Sequence, residues 1–257
     1  YPGSGHLDER GGPNAFGRTV NIPLPPETSD EGFLYAMENM VMPILKDFKA
    51  DFVVNSAGQD NHYSDPITNM NFSAQGYARL NEMLSPHVAV LEGGYSIQGA
   101  LPYVNLGIVL AMAGVDYSSV HEPDFDPRAI AQSSRTTSYI KSLTDSVLDN
   151  YFNPVMAERP GEGNYFVRRK NIYYDTDGIQ EMQMEAVLVC GKCPGVMKIE
   201  SHSSVYPLSL GIQIPLGACD RCREEGLRFM DEARSKSRYT NIQMINRRDR
   251  EYLRFSL

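Results

Sequence analysis

Long apolar runs are missing from these 257 residues: none approaches the roughly 18 that a membrane-spanning helix needs. A basic excess is missing too. With 24 Lys and Arg against 32 Asp and Glu, the formal net charge is −8, which argues against a surface that coats nucleic acid but leaves room for a local basic patch. The opening Tyr1-Pro2-Gly3-Ser4-Gly5 has neither the basic n-region nor the apolar h-region of a secretory signal, so the expectation is a soluble, cytoplasmic protein with no membrane partner. It also lacks an initiating Met, and this turn-like start suggests a chain that begins inside a larger polypeptide. There is no internal repeat and no low-complexity tract. Cysteine is scarce: there are four, all in two tight pairs near the C-terminus, a pattern that bears on metal more than on disulfides. What remains is ordinary globular composition, 42% apolar and 22% charged, enough for one large domain or a medium domain with a smaller appendage.

The stretch from Phe52 to Tyr95 organises the rest. Phe52-Val53-Val54-Asn55-Ser56-Ala57-Gly58 reads as a short buried strand that releases Gln59 to Pro66 into a loop. A second buried strand, His87 to Glu92, ends at Gly93-Gly94-Tyr95. Before them, residues 1–30 read as a Gly- and Pro-rich surface loop around a strand at Arg18–Ile22. Thr28-Ser29-Asp30-Glu31 offers helix-start chemistry for a helix over 33–48, which Pro43 should kink. Ser73 should cap a helix over 74–84, and a third helix should run from Ser96 to Met112. Helices alternating with short strands imply a mainly parallel sheet. Ligands bind outside the carboxyl ends of such strands, so Asp60 and Tyr95 should share an edge.

At Val115 the texture changes. Pro breaks across 116–127 mark a boundary, followed by a helix from Pro127 to Tyr151. Beyond Asn153 the period drops toward two, with strands expected at 164–168, 171–174, 184–189, 195–199, 208–214 and 241–245, a hairpin turn at Asp177-Gly178, and a helix over 220–234. Residues 1–115, 116–153 and 154–257 therefore read as an α/β part, a linker with its helix, and a small β-rich module.

Cys190-Gly191-Lys192-Cys193 and Cys219-Asp220-Arg221-Cys222 are two C-x-x-C knuckles, the usual way to present four thiolates to a tetrahedral zinc. With no open coordination position, such a zinc is structural, and the module reads as zinc-ribbon-like. Two redox pairs or unpaired buried thiols are the alternative. Arg234, Lys236, Arg238, Arg247, Arg248 and Arg250 could bind a partner or nucleic acid, or form a solvated charged face.

Asp60, His62, Asp65 and Tyr95 should converge on the strand-end edge. An Asp there can bind a divalent cation, and a Tyr opposite can hydrogen-bond a developing oxyanion. The same residues are also common loop chemistry, and taken alone they leave both readings open.

Tyr1-Pro2-Gly3-Ser4-Gly5, Val20-Asn21-Ile22-Pro23-Leu24-Pro25-Pro26, Ser56-Ala57-Gly58-Gln59-Asp60-Asn61-His62, Asp65-Pro66 and Leu91-Glu92-Gly93-Gly94-Tyr95 resemble, in order and spacing, the landmarks of the C-terminal half of the histone deacetylase superfamily, over residues 1 to about 114. The resemblance implies a partial arginase/deacetylase-like α/β domain with a mainly parallel sheet and flanking helices, and a zinc-dependent amide hydrolase. It implies Asp60 as a ligand of a catalytic zinc and Tyr95 as the residue that polarises the scissile carbonyl. Gly93 and Gly94 would lie close to an acyl-lysine tunnel, and Ile67 would be an apolar pocket wall in place of the acidic residue that would suit a polyamine. Gln59 departs from the usual aromatic or apolar residue, and His62 is implied to be structural. The family's D-x-H-H-G-N-G ligand stretch and its His-His base pair have no counterpart around His6, His62, His87, His121 or His202. The expected partners are thus an acetylated peptide or small acetylated amine, and an N-terminal half of the same domain that completes the site. The competing expectation is an inactive deacetylase-like scaffold whose zinc-ribbon module binds protein or nucleic acid.

Overall fold

A computed structural model describes residues 4–155, 164–236 and 238–256. Tyr1-Pro2-Gly3, which opens the first family landmark, and residues 156–163, near the expected start of the β-rich module, lie outside the described residues. Two compact units form: Ile22–Asn153, and a discontinuous one in which Tyr1–Asn21 joins Pro154–Leu257.

In the contiguous unit, α1 (Asp30–Ala36) passes through a π-helical turn at Met37–Val41 into α2 (Met42–Phe48). The backbone stays right-handed helical across both junctions, and the irregularity expected at Pro43 takes the form of the π-helical turn just before it, beside the position where proline removes an N–H donor. Ser29 holds the N-cap position of α1 without its side chain capping the helix. Gln132, about a hundred residues on, does that work, its Oε1 accepting from the Ser29 and Gly32 amides at 3.1 Å each. Then β1 (Val54–Ala57), α3 (Ala74–Leu84) and β2 (Val88–Leu91) make a parallel β-α-β unit in register Val54↔Val88 to Ala57↔Leu91. Ser73 caps α3 as expected, accepting from the Gly76 amide at 3.1 Å.

The two strands are not the buried pair the apolar runs imply. Val54 and Leu91 are 54% and 73% exposed. In this two-stranded sheet each strand is an edge, and only Ala57 and Ala89 turn into the core made with Phe72, Tyr77, Leu80, Val104 and Ile108. α4 runs from Leu101 to Met112, preceded by turns at 96–100 rather than starting at Ser96. α5 is Ser134–Phe152, not a helix from Pro127, because Ser133 caps it through the Thr136 amide and 127–133 stay irregular.

The strand expected at Arg18–Ile22, where the two units meet in sequence, does not form. The β-rich part is a six-stranded sheet, ordered β3 (Tyr165–Tyr174), β4 (Ile179–Leu188), β5 (Met197–Ser203), β6 (Ser209–Ile214), β7 (Asn241–Asn246) and β8 (Glu251–Ser256). All neighbours are antiparallel except β6 and β7, which run parallel because α6 (Asp220–Lys236) crosses between them. The expected strands 164–168 and 171–174 are one continuous β3, and Gly178, at φ +64°, turns it into β4. Leu210, Ile212 and Ile214 of β6 and Ile242 and Met244 of β7 bury their side chains with Phe229, Met230 and Ala233 of α6. Ile242, in register with Leu210 on one side and Phe255 on the other, is fully buried. Ile242→Ala should lower stability by about 2–5 kcal/mol, read as an earlier urea-unfolding midpoint with an unchanged slope.

Candidate functional site

β1 and β2 end side by side, and their ends are tied directly: the Gln59 amide donates to the Gly93 carbonyl at 2.5 Å. Asp60 follows one strand end and Tyr95 the other, so the chain direction of a parallel pair brings both to one rim. Gly93 lies between them. A Cβ added there would sit 2.7 Å from Asp60 Oδ2 and 3.6 Å from Tyr95 Cε2, so the carboxylate and the phenol ring both border the space a side chain at 93 would enter. Gly94 has φ +154°, and a Cβ there would come within 2.9 Å of the Gln59 Cβ. Close approach of the two loops and the positive φ therefore call for glycine at 94, while at 93 a side chain would displace the Asp60 carboxylate. Tyr95 and Ile67 are both exposed beside this rim, at 51% and 64%. Gln59 turns inward, 2% exposed, and donates to Asn105 Oδ1 at 2.5 Å.

Asp65 holds the Tyr95 loop rather than facing the rim. Its Oδ2 accepts from the Tyr95 amide at 2.7 Å and its Oδ1 from the Ile67 amide at 3.0 Å. His62 is fully buried. Its Nδ1 accepts from the Ser64 amide at 3.2 Å, which leaves the proton on Nε2 to donate to Glu122 Oε1 at 2.7 Å. Glu122 Oε1 also accepts from the Ala74 amide at the start of α3, at 2.7 Å, and Ser64 Oγ meets Ser96 Oγ at 2.7 Å. One hydrogen-bonded chain thus runs from α3 through Glu122, His62 and Ser64 to the residue after Tyr95. Burial alone would raise the Glu122 pKa, but the His62 and Ala74 bonds outweigh it and hold the carboxyl below its ordinary value. Glu122 sits in the Pro-broken stretch that reads from sequence as a linker, so its role there is invisible.

The four cysteines come together with all their sulfur atoms within 4.8 Å of one another. Cys219 Sγ lies 3.8 Å from Cys190 Sγ and 3.7 Å from Cys193 Sγ. Zn–S bonds of about 2.3 Å place tetrahedral sulfurs roughly 3.8 Å apart, so the cluster fits a closed four-thiolate metal. The Lys192 amide draws the Cys190 thiol down to about 6, and burial pushes the Cys222 thiol up. Among the described residues this is the only group of three or more His, Cys, Asp and Glu side chains arranged to share an ion. Asp60 belongs to no such group of three or more among the described residues. Several of the basic side chains near the C-terminus are engaged within the unit: Arg238 pairs with Glu200 at 3.2 Å, Arg248 with Asp220 at 2.5 Å, and Arg234 lies 4.3 Å over the Phe255 ring. No helix among the described residues is long and apolar enough to cross a membrane.

Because the Glu122 pKa is lowered on folding, its contribution to stability is present above the ordinary carboxylate pKa of ~4.3 and is lost as pH falls through the folded value. Glu122→Gln should remove that acid-side loss while keeping the side-chain shape. Urea unfolding of both proteins at pH 7 and at pH 4 should show the smaller pH difference in the variant.

A family model of the histone deacetylase domain matches residues 1–106. A probable deacetylase of Archaeoglobus fulgidus is 50% identical over 133 residues, covering 48% of this chain and 37% of that protein. The acetoin utilization protein AcuC of Staphylococcus xylosus is 48% identical over 71 residues, covering 28% of this chain and 18% of its own length. The crystal structure of the HDA15 HD domain superposes with a TM-score of 0.49 at 25% identity, over 60% of this chain and 41% of that one. The chain thus spans well under half the length of these curated relatives. Residues 1–106 are similar to the histone deacetylase domain, and the six-stranded sheet with its four-cysteine cluster lies beyond the matched stretch.

Proposed function

We propose that this chain carries one side of a zinc-dependent amide hydrolase site that removes acetyl groups from acetyl-lysine or small acetylated amines. The observation that carries the reading is the placement of the Asp60 carboxylate and the Tyr95 ring around the one point where a Gly93 side chain would begin, within a stretch that matches the histone deacetylase domain. In this reading Asp60 is one oxygen ligand of the catalytic zinc. A companion half of the same domain supplies the remaining ligands and a general base, since a single carboxylate holds zinc weakly and activates no water. Zinc, when bound, supplies Lewis-acid polarisation of the acetamide carbonyl.

The chain's own residues do the rest on their side. The Tyr95 phenol donates a hydrogen bond to the oxygen that gains charge as the carbonyl is attacked, and the Asp65 and Ser64–Ser96 bonds hold its loop against the Asp60 loop. Gly93 and Gly94 let these loops close on each other, and Ile67 offers an apolar wall to the acyl chain. Acetate and a free amine leave. A second zinc, held by Cys190, Cys193, Cys219 and Cys222, is structural.

The test is to combine the chain with the companion half and follow acetate release from an acetyl-lysine peptide. Tyr95→Phe should lower kcat roughly 100- to 1,000-fold, the usual cost of one oxyanion donor, with zinc content unchanged. Equal rates in the two proteins would sink the assignment. The assembled protein should hold two zinc ions, one of them lost in Cys190→Ser. A single zinc that disappears in Cys190→Ser would favour the inactive scaffold instead.

A further inference from the structure

The loop at 10–18 lies within the histone deacetylase stretch, yet its tip bonds to the cysteine cluster of the extension. Asn14 Nδ2 donates to the carbonyl of Cys190 at 3.0 Å and to the carbonyl of Cys193 at 2.6 Å. These are the first and last residues of one C-x-x-C knuckle. Their two carbonyls can share a single donor group only when the knuckle is closed, and a primary amide, with two N–H bonds on one nitrogen, is the side-chain group that can serve both. We propose that Asn14 is an outer clamp of the four-cysteine metal site, so that metal in the extension and order in the 10–18 loop of the deacetylase stretch are thermodynamically linked.

The loop is built to present this amide. The Gly17 amide donates to the Arg10 carbonyl at 2.7 Å and the Ala15 amide to the Gly12 carbonyl at 2.9 Å, closing the loop on itself, and Arg10 lies 4.8 Å over the Phe16 ring. The loop therefore offers Asn14 from a partly ordered frame, which keeps the ordering cost of the contact low. On the other side, metal fixes the separation of Cys190 and Cys193 and with it the spacing of their carbonyls. Each partner thus favours the geometry the other needs. Linkage requires the effect to be equal in both directions: whatever factor the metal contributes to loop order, the loop returns to metal affinity. Outer-shell partners of metal sites are commonly worth 10- to 100-fold in affinity.

The inference rests on the reading of the four cysteines as a zinc site and does not depend on the amide hydrolase reading. Its test uses the full chain loaded with zinc, with two measurements. In competition with a chromogenic chelator, Asn14→Ala and the near-isosteric Asn14→Asp should still bind one zinc at saturation but about 10- to 100-fold more weakly than the parent chain. In hydrogen exchange read by mass spectrometry, peptides covering 10–18 should lose protection when zinc is stripped from the parent chain. In both variants they should already exchange fast with zinc bound, while peptides from β6 and β7 stay protected. Parent-like zinc affinity in both variants, or exchange over 10–18 that ignores zinc, overturns the proposal. A parent chain that takes up no zinc overturns the zinc reading beneath it, an outcome told apart by the parent's own stoichiometry and by Cys190→Ser.

Discussion

A carboxylate shut away from water must be given donors or give up its charge, and much of the contiguous unit is arranged around how Glu122 meets that requirement. Its Oε1 takes one N–H from His62 and one from the first amide of α3, while the buried Oε2 has no hydrogen-bond partner among the described residues. The pair fixes the loop after β1 against the helix that follows it, and through Ser64 and Ser96 it reaches the loop after β2. The candidate rim is therefore not carried by two free loops. It is pinned from behind by buried polar groups whose removal singly would leave a partner stranded, which is the costly way to break such a network.

The discontinuous unit solves a different problem. Its sheet is large, but α6 can cover only the strands it crosses, and the apolar core concentrates on β6, β7 and the inner face of that helix. The cysteines sit at the end of this core: Cys222, fully buried, belongs to the first turn of α6, and Cys190 and Cys193 close the chain between β4 and β5. A metal bound there would staple the helix start to a sheet connection at the margin of the apolar packing.

What was legible in the sequence followed from local pattern. Two C-x-x-C pairs gave the cluster, Asp177-Gly178 gave a hairpin, and Ser73 gave a helix start, because each signal lies within a few residues of its effect. The Asp60 and Tyr95 rim was legible through strand ends and through the resemblance. What was not legible depends on partners distant in sequence. Gln132 caps α1 where the local Thr28-Ser29-Asp30-Glu31 stretch offered candidate caps, Glu122 holds His62 from a stretch that looks like a linker, and Asn14 reaches cysteines more than 170 residues away. The strands at 54–57 and 88–91 misled in another way. Their apolar runs predict burial by both faces, whereas a two-stranded sheet leaves Val54, Val88 and Leu91 open. β8 carries Tyr252, Leu253 and Phe255 among charges without a clean alternation, which hid it.

The interleaving of the two units also sets an order of events during synthesis. Residues 22–153 form one uninterrupted stretch, and all their partners described above lie inside it, so that unit can close as soon as it clears the ribosome. The segment before it cannot. Asn14 waits for Cys190, 176 residues later, which at typical translation speeds is roughly 9–35 s. Only the last 37 residues of that wait, roughly 2–7 s, follow completion of the 22–153 unit, and during them Asn14 still lacks its cysteine partners. The nascent chain therefore passes through a stage with residues 22–153 folded and the flanking segments 4–21 and 164–256 still to meet.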